Sequence, residues 1–485
     1  MAGYQASNPE TEAGRQPLLY RSVTLIMEDC SRRNAQPSSK ASIYRVPQNL
    51  RQLKESAYTP RIVSIGPYHK HDERLKEMEY HKKSYMHKLL SRVRPKPNQP
   101  ADAAIKDITD TILEKAADAR SCYAATHKLN DDVSFAEMLL VDGCFVLELL
   151  FRKKEAVHLQ IGDPILGNNL VFNDVRNDLV LMENQIPMFV LQTLCDFSLV
   201  QPYTLYDLII SFFGNMLNFK LDIRKVVKPE TAAHILGLLH NCYLPCDTAA
   251  LERQNADQII KHSAVDLDRA GVDFKEGKGR DQICVNFSTS CGFSFLGGTS
   301  PSGTADDPTE SRRCCYSWFF QLCGRTSVEI SKLCIYDSTE AFLRNLIAFE
   351  QCSPSIPRLI TSYAFLMDTL INTKEDVEVL EKAGVLDNHL GASEDATRLF
   401  NTLCKEVVLG EFTFWKQWQK VEAFCKLKWP SHIASMRRNY FSSPWALISV
   451  IAALILFAIT VVQTVYTVRG LDCPGGGRGE RKGER

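Results

Sequence analysis

Apolar side chains along this chain recur mostly at helical spacing. Phe135 to Phe151 (FAEMLLVDGCFVLELLF) is apolar nearly all round and predicts a buried central helix. Asp178 to Phe197 (DLVLMENQIPMFVLQTLCDF) has the same character. Its Pro187 lacks an amide hydrogen and would clash with the preceding turn, so a kink or a helix restart is expected there. Capping-box spacing marks two further helix starts, Asp337 with Glu340 and Asn372 with Glu375. Strand-like runs are few and short, at Arg61 to Ile65, Gln282 to Phe287 and Lys332 to Tyr336. The expected fold class is therefore mainly α, that is, α+β with a small β element. Residues 1–39 are polar and aperiodic, which predicts a disordered segment, and Arg94 to Pro100 (RPKPNQP) predicts a loop.

Near the C-terminus the pattern changes. Asn439 to Val468 carry no charged side chain, and Trp445 to Val468 (WALISVIAALILFAITVVQTVYTV) is almost unbroken in its apolarity. A helix of that length, at about 1.5 Å per residue, covers roughly 36 Å, enough for a hydrocarbon core of about 30 Å. Trp445 and Tyr466 lie near its ends, where amphipathic rings favour the headgroup level, and Arg437, Arg438 and Arg469 bracket it with charge. A single transmembrane helix over residues 441–468 is expected, with the lipid bilayer as its partner and residues 469–485 as a short basic tail. One helix cannot line a transport path. The N-terminus lacks the basic flank and apolar run of a secretory signal, and only 17 residues follow Val468. Tail anchoring with a cytosolic body is the expectation, the plasma membrane being the expected location. The basic residues on the two sides of the span do not decide the orientation.

The body, from about Ile43 to Tyr440, exceeds the roughly 250–300 residues at which one core stops growing, so two packed lobes are expected. Lys and Arg number 57 against 57 Asp and Glu, with no basic stripe, which argues against nucleic acid as a partner. Sixteen cysteines show no framework spacing, and Cys144, Cys195 and Cys404 fall in apolar helical patterns where a thiol behaves as a small hydrophobe. Cys284, Cys291, Cys314, Cys315, Cys323 and Cys334 crowd around a Gly, Ser and Thr-rich stretch. No C-x-x-C pair occurs, and His240, Cys242 and Cys246 (HNCYLPC) lack a second ligand pair, so no metal is assigned and a surface loop is expected.

The chain has no G-x-S-x-G, P-loop, G-x-G-x-x-G or H-E-x-x-H motif, so no catalytic or cofactor-binding residue is assigned and no cofactor is implied. Acids set in apolar helices, Asp142, Glu148 and Glu183, are the candidates for shifted pKa values. With Arg152, Lys153 and Lys154 near in sequence, and Asn184 and Gln185 beside Glu183, satisfied packing groups are the favoured reading. His69 and His71 stand at a turn before the charged run HDERLKEMEYHKK, which predicts a solvated helix start with His81 and His87 exposed.

Several longer strings then stand out: IYRVPQNL from Ile43, RIVSIGPYH from Arg61, MEYHKKSYM from Met78, DGCFVLELL from Asp142, DLVLMENQIPMFVL from Asp178 and FLRNLIAFEQC from Phe342. Together they resemble the plant "domain of unknown function 247" family, and ITSYAFLMDTLINTKEDVEVL, LFNTLCKEV and YFSSPWALISVIAA look like its C-terminal half and terminal anchor. The resemblance implies a body over residues 40–440, with the Cys and Gly-rich stretch 288–327 as a loop insertion. It implies single-pass membrane proteins with no established catalytic residues, some grass members being implicated in self-incompatibility. Two functional readings follow. One is a membrane-tethered recognition or signalling protein whose body binds another protein, of unknown identity. The other is an enzyme of unrecognised type using the buried carboxylates.

Overall fold

The computed structural model describes residues 20–21, 23–25, 27, 40–93, 101–125, 129, 131–155, 162–198, 203–217, 231–245, 254–255, 262–277, 283, 285–290, 325–426 and 444–471. The expected N-terminal disorder (apart from a few described positions), the 94–100 loop, the core of the 288–327 insertion and its cysteines, Arg437, Arg438 and Cys246 lie outside them. The chain divides into two compact units. One comprises residues 1–264, 275–286 and 329–417, the other 265–274, 287–328 and 418–485.

The helices of the first unit, in chain order, are α1 (Gln48–Leu53), α2 (Lys76–Leu90), α3 (Ala101–Glu114), α4 (Ala116–Ser121), α5 (Asp132–Lys154), α6 (Asn169–Asp178), α7 (Met188–Phe197), α8 (Leu205–Phe213) and α9 (Ile235–Asn241). α5 is the expected central helix. Asp131 caps it by accepting from the Ser134 amide, nearly all its apolar positions from Phe135 to Leu150 are buried, and Arg152 to Lys154 end it where cations complement the helix dipole. Helices α2, α3, α7 and α8 pack around it. The crossing with α7 is close, since a Cβ on Gly143 would run into Leu194 Cδ1.

The α10 helix (Ala264–Arg269) begins at the boundary between the units, and α11 (Thr339–Cys352), α12 (Leu359–Leu370), α13 (Lys374–Lys382) and α14 (Ser393–Leu403) return to the first. The β content among the described residues is small. Strands β1 (Gln254–Asn255) and β7 (Glu411–Phe412) pair antiparallel, β5 (Leu333–Ile335) and β6 (Leu386–Asn388) pair parallel, and β2 (Val272–Glu276), β4 (Arg325–Ile330) and β3 (Val285–Ser290) form a sheet in that order. The fold is mainly helical. In the second unit the Phe287 ring centre lies 6.3 Å from that of Phe424 of α15 (Trp415–Cys425), with the rings tilted, and Ser288 Oγ lies 3.0 Å from Ser327 Oγ.

Five local expectations are corrected or shifted. The helix restart expected at Pro187 is present, Pro187 being the N-cap of α7, but the stretch before it is not helical: α6 ends at Asp178, and the intervening residues are buried, non-helical backbone. Arg61 to Ile65 is not a strand, because its amides bond to side chains instead of a neighbouring strand. Asp337 and Glu340 form no capping box: Ser338 is the N-cap, and Glu340 turns to Lys54 and Arg344. The second box is shifted by one residue, since the Asp376 carboxylate accepts from the amides of Asn372 and Thr373 and from the Thr373 hydroxyl. The strand expected at Gln282 to Phe287 lies at Val285–Ser290.

The last helix, α16, runs over Pro444–Leu471. Its described apolar side chains are exposed, Ile455, Leu456, Phe457 and Val462 each by more than half. Side chains at several of its positions, Trp445 and Arg469 included, lie outside the described ones. Among the described residues no helix is long and apolar enough to cross a membrane.

Candidate functional site: a buried polar lattice

The acids singled out in the sequence all lie in the first unit, and each has partners. Asp142, on α5, pairs with Lys82 Nζ at 2.5 Å and accepts from the Gly66 amide at 2.9 Å. Lys82 is itself fully buried on α2, where it also pairs with Glu79 and donates to the Ser64 carbonyl at 2.8 Å. Burial opposes its charge, yet Asp142 and Glu79 hold its ammonium above the ordinary lysine range. This lysine sits inside the charged run expected to be solvated. Its position on the stripe Met78, Lys82, Tyr85, Leu89 is the sequence signal that places it inward. His87 is exposed as expected, whereas His81 is half-buried.

Glu148 lies two helical turns further along α5. Arg92 grips it with both terminal nitrogens, at 2.7 and 2.9 Å, and Arg152 Nε donates to it at 2.7 Å. Burial still outweighs the two guanidiniums and raises its pKa. Arg152 also reaches Asp163, whose carboxylate accepts from Tyr85 and from the amides of Ile165 and Leu166. Tyr85 and Arg152 thus tie α2 and α5 to the turn before α6.

Glu183, in the α6–α7 connection, pairs with Arg51 of α1 at 2.6 Å and accepts from the Val46 amide at 2.6 Å. His69 Nε2 stands 3.5 Å from its other oxygen. Burial opposes its ionisation, but His69, Arg51 and the Val46 amide hold its carboxyl below the usual range. Its neighbours act on backbone. Asn184 accepts from the Ile65 amide at 2.7 Å and donates to the carbonyls of Val63 and Asp178. Gln185 donates to the carbonyls of Leu179 and Leu181 and accepts from the Leu236 amide. Asp178 completes the set by accepting from three successive amides, Arg61, Ile62 and Val63, at 2.8 to 2.9 Å. Burial pushes its pKa up to about 6 against the pull of those amides.

Sequence reasoning missed a second cluster. His240, on α9, lies 2.7 Å from Glu350 of α11, both fully buried, and Glu350 also accepts from the amides of Ile360 and Thr361 and the Thr361 hydroxyl. Asn345, one turn before Glu350, accepts from the Met182 amide and donates to the carbonyls of Ala57 and Ala341. His234 caps α9: its Nδ1 accepts from the Gly237 amide at 3.1 Å, while Nε2 faces the Ser42 carbonyl at 3.1 Å. Burial lowers its pKa to about 4. Of the ligand-like trio, His240 turns to Glu350 and Cys242 to the Leu238 carbonyl, while Cys246 lies outside the described residues. Among the described residues no group of three His, Cys, Asp or Glu side chains could hold a metal ion.

Chemically, these arrangements neutralise charge and replace missing secondary-structure bonds. Ion-paired or amide-capped carboxylates are poor general bases, because donating their lone pairs to a substrate would strand a buried partner. The strings RVPQNL, RIVSIGP, DLVLMENQIP and FLRNLIAFEQ are the segments that this lattice joins. The sequence matches, over residues 43–459, the family DUF247, described as plant protein of unknown function. The chain belongs to this plant family. The chain is 27% identical to the UPF0481 protein At3g47200 of Arabidopsis thaliana over 437 residues, 88% of this chain and 86% of that one. It is 25% identical to the putative UPF0481 protein At3g02645 of the same plant over 494 aligned positions, 87% of this chain and 89% of that one. No solved structure matches this DUF247 chain.

Proposed function

We propose that this DUF247 protein is a membrane-tethered recognition protein whose helical body binds another protein without covalent chemistry. The engagement of Asp142, Glu148, Glu183 and Asp178 by ion pairs and backbone amides carries this reading, because it leaves the enzyme alternative without its candidate groups. The apolar run Trp445 to Val468 supports the tether, since side chains such as Phe457 and Val462 are disfavoured in water and favoured in lipid. Tethering confines the body near a surface and raises its effective concentration for partners held there. Self-recognition of the kind implied for grass members is a special case of this reading.

Alkaline carbonate extraction of the full chain tests the anchor. Retention in the pellet is expected, and release into the supernatant overturns it. Protease digestion of cytosol-facing-out vesicles, with a tag at each terminus, tests the orientation: the N-terminal tag should be lost. Asn286, exposed on β3 in the sequon NFS, should carry no glycan if the body is cytosolic, whichever membrane holds it.

A further inference from the structure

The first unit pairs most of its buried and half-buried cations with carboxylates, and Arg176 departs from that pattern. Arg51, Lys82, Arg92, Arg152 and Arg344 each have a carboxylate partner. Arg176, in the last turn of α6, has none among the described residues. Its Nε is buried and bonded to nothing, and burial pulls its pKa down with no acid to oppose the fall. Arg176 Cζ lies 5.7 Å from the centre of the Phe172 ring, and Lys153 Nζ, from the end of α5, lies 4.5 Å from the same centre. The two charges therefore stand within about 10 Å of each other. Lys154, the next residue of α5, adds a third cation at that helix end, its Nζ 3.2 Å from Ser211 Oγ of α8 and 5.6 Å from the Tyr203 ring centre. Neither lysine has a carboxylate partner among the described residues, and both are exposed. Cations are favoured at helix C-termini, which accounts for their sign there but not for a buried guanidinium nitrogen left without an acceptor.

We propose that Lys153, Lys154 and Arg176 form a binding site for a phosphorylated anion, a phosphomonoester or pyrophosphate group, carried either by a soluble molecule or by a lipid headgroup. A monocarboxylate neutralises one charge, whereas a phosphoryl group of charge near −2 presents several acceptor oxygens that a guanidinium and two ammonium groups can share. Such an anion supplies the negative partner that the Arg176 guanidinium lacks among the described residues. None of the three residues bonds to Asp142, Glu148, Asp178 or Glu183, and the site does not depend on the tether.

The test uses the full chain in detergent micelles, titrated with inorganic pyrophosphate at constant ionic strength and followed by calorimetry and thermal unfolding. Pyrophosphate should raise the unfolding midpoint well beyond the effect of chloride at equal ionic strength. Lys153→Gln and Arg176→Gln should each weaken binding at least tenfold. Arg61→Gln, which removes an exposed guanidinium paired to Asp174, should leave binding unchanged. Lys153 is exposed, so its variant reports on the site even if the Arg176 variant folds poorly. Equal stabilisation by chloride, or undiminished binding in the Lys153 variant, overturns the proposal. In nanodiscs, competition between phosphatidic acid and pyrophosphate assigns the headgroup as the source, and its absence assigns a soluble ligand.

Discussion

At the scale of single residues, the informative positions are polar groups placed where water is excluded. Removing one partner of a buried pair leaves an uncompensated charge, which costs about 3–5 kcal/mol, whereas replacing both with apolar groups of similar volume is close to neutral. Lys82→Met should therefore destabilise the first unit by about that amount, and adding Asp142→Asn, which removes the stranded charge but keeps an oxygen for the Gly66 amide, should restore much of the loss, as denaturant unfolding of the two variants would measure. A pH-independent penalty that the second substitution does not relieve would contradict the pairing. His234 gives a titration with a defined sign. Its Nδ1 must be unprotonated to accept from Gly237, and its folded pKa of about 4 lies below the ordinary 6.5. As pH falls through 6.5 the unfolded chain takes up a proton that the folded chain refuses until about 4, so stability is lost across that window, by up to about 3 kcal/mol. Asp178, raised to about 6, acts oppositely there, since the folded chain keeps a proton that the unfolded one releases. The comparison of wild type with His234→Asn isolates the histidine: the penalty of that substitution should shrink as pH falls from 6.5 to 4.

At the scale of elements, the structure shows how irregular backbone is held inside a helical body. Segment 61–66 has no neighbouring strand, yet five of its amides are bonded, three to Asp178, one to Asn184 and one to Asp142. Buried amides must find acceptors, and here three side chains substitute for a strand. Gly66 makes the close approach possible, with φ of +78° and a would-be Cβ only 2.5 Å from the Gln185 carbonyl oxygen. Gly66→Ala should cost about 2 kcal/mol or more from strain and the forced shift, read as a lower denaturant midpoint at unchanged slope. At the start of α13, Asp376→Ala removes a carboxylate that serves two amides and should cost about 1 kcal/mol.

At the scale of the whole molecule, the lattice makes distant parts of the chain depend on one another. Asn345 of α11 bonds to Met182 and Ala57, and Glu183 bonds to Arg51 and Val46, so the first unit closes only when residues hundreds apart in sequence have met. Amides 61–63 should consequently exchange with solvent as slowly as those of α5, through global unfolding, although they belong to no helix or sheet. Hydrogen exchange read by mass spectrometry checks this, and Asp178→Ala should lower their protection more than that of α5.

Much of this architecture was legible without coordinates. The central helix, the restart at Pro187, the short β5 strand and the helical class follow from local rules, because apolar periodicity and proline act within a few residues. The favoured reading of the three acids as satisfied packing groups was likewise within reach, since an unpaired charge in an apolar helix is too costly to leave alone. Which groups satisfy them was not. Lys82 looked solvated among its charged neighbours, Arg61 to Ile65 looked like a strand, and Glu350 carried no motif, because each is decided by a partner far along the chain. Local pattern specified what each segment wants to bury, while tertiary structure chose the partners, since hydrogen bonds and ion pairs depend on distances that sequence separation does not contain.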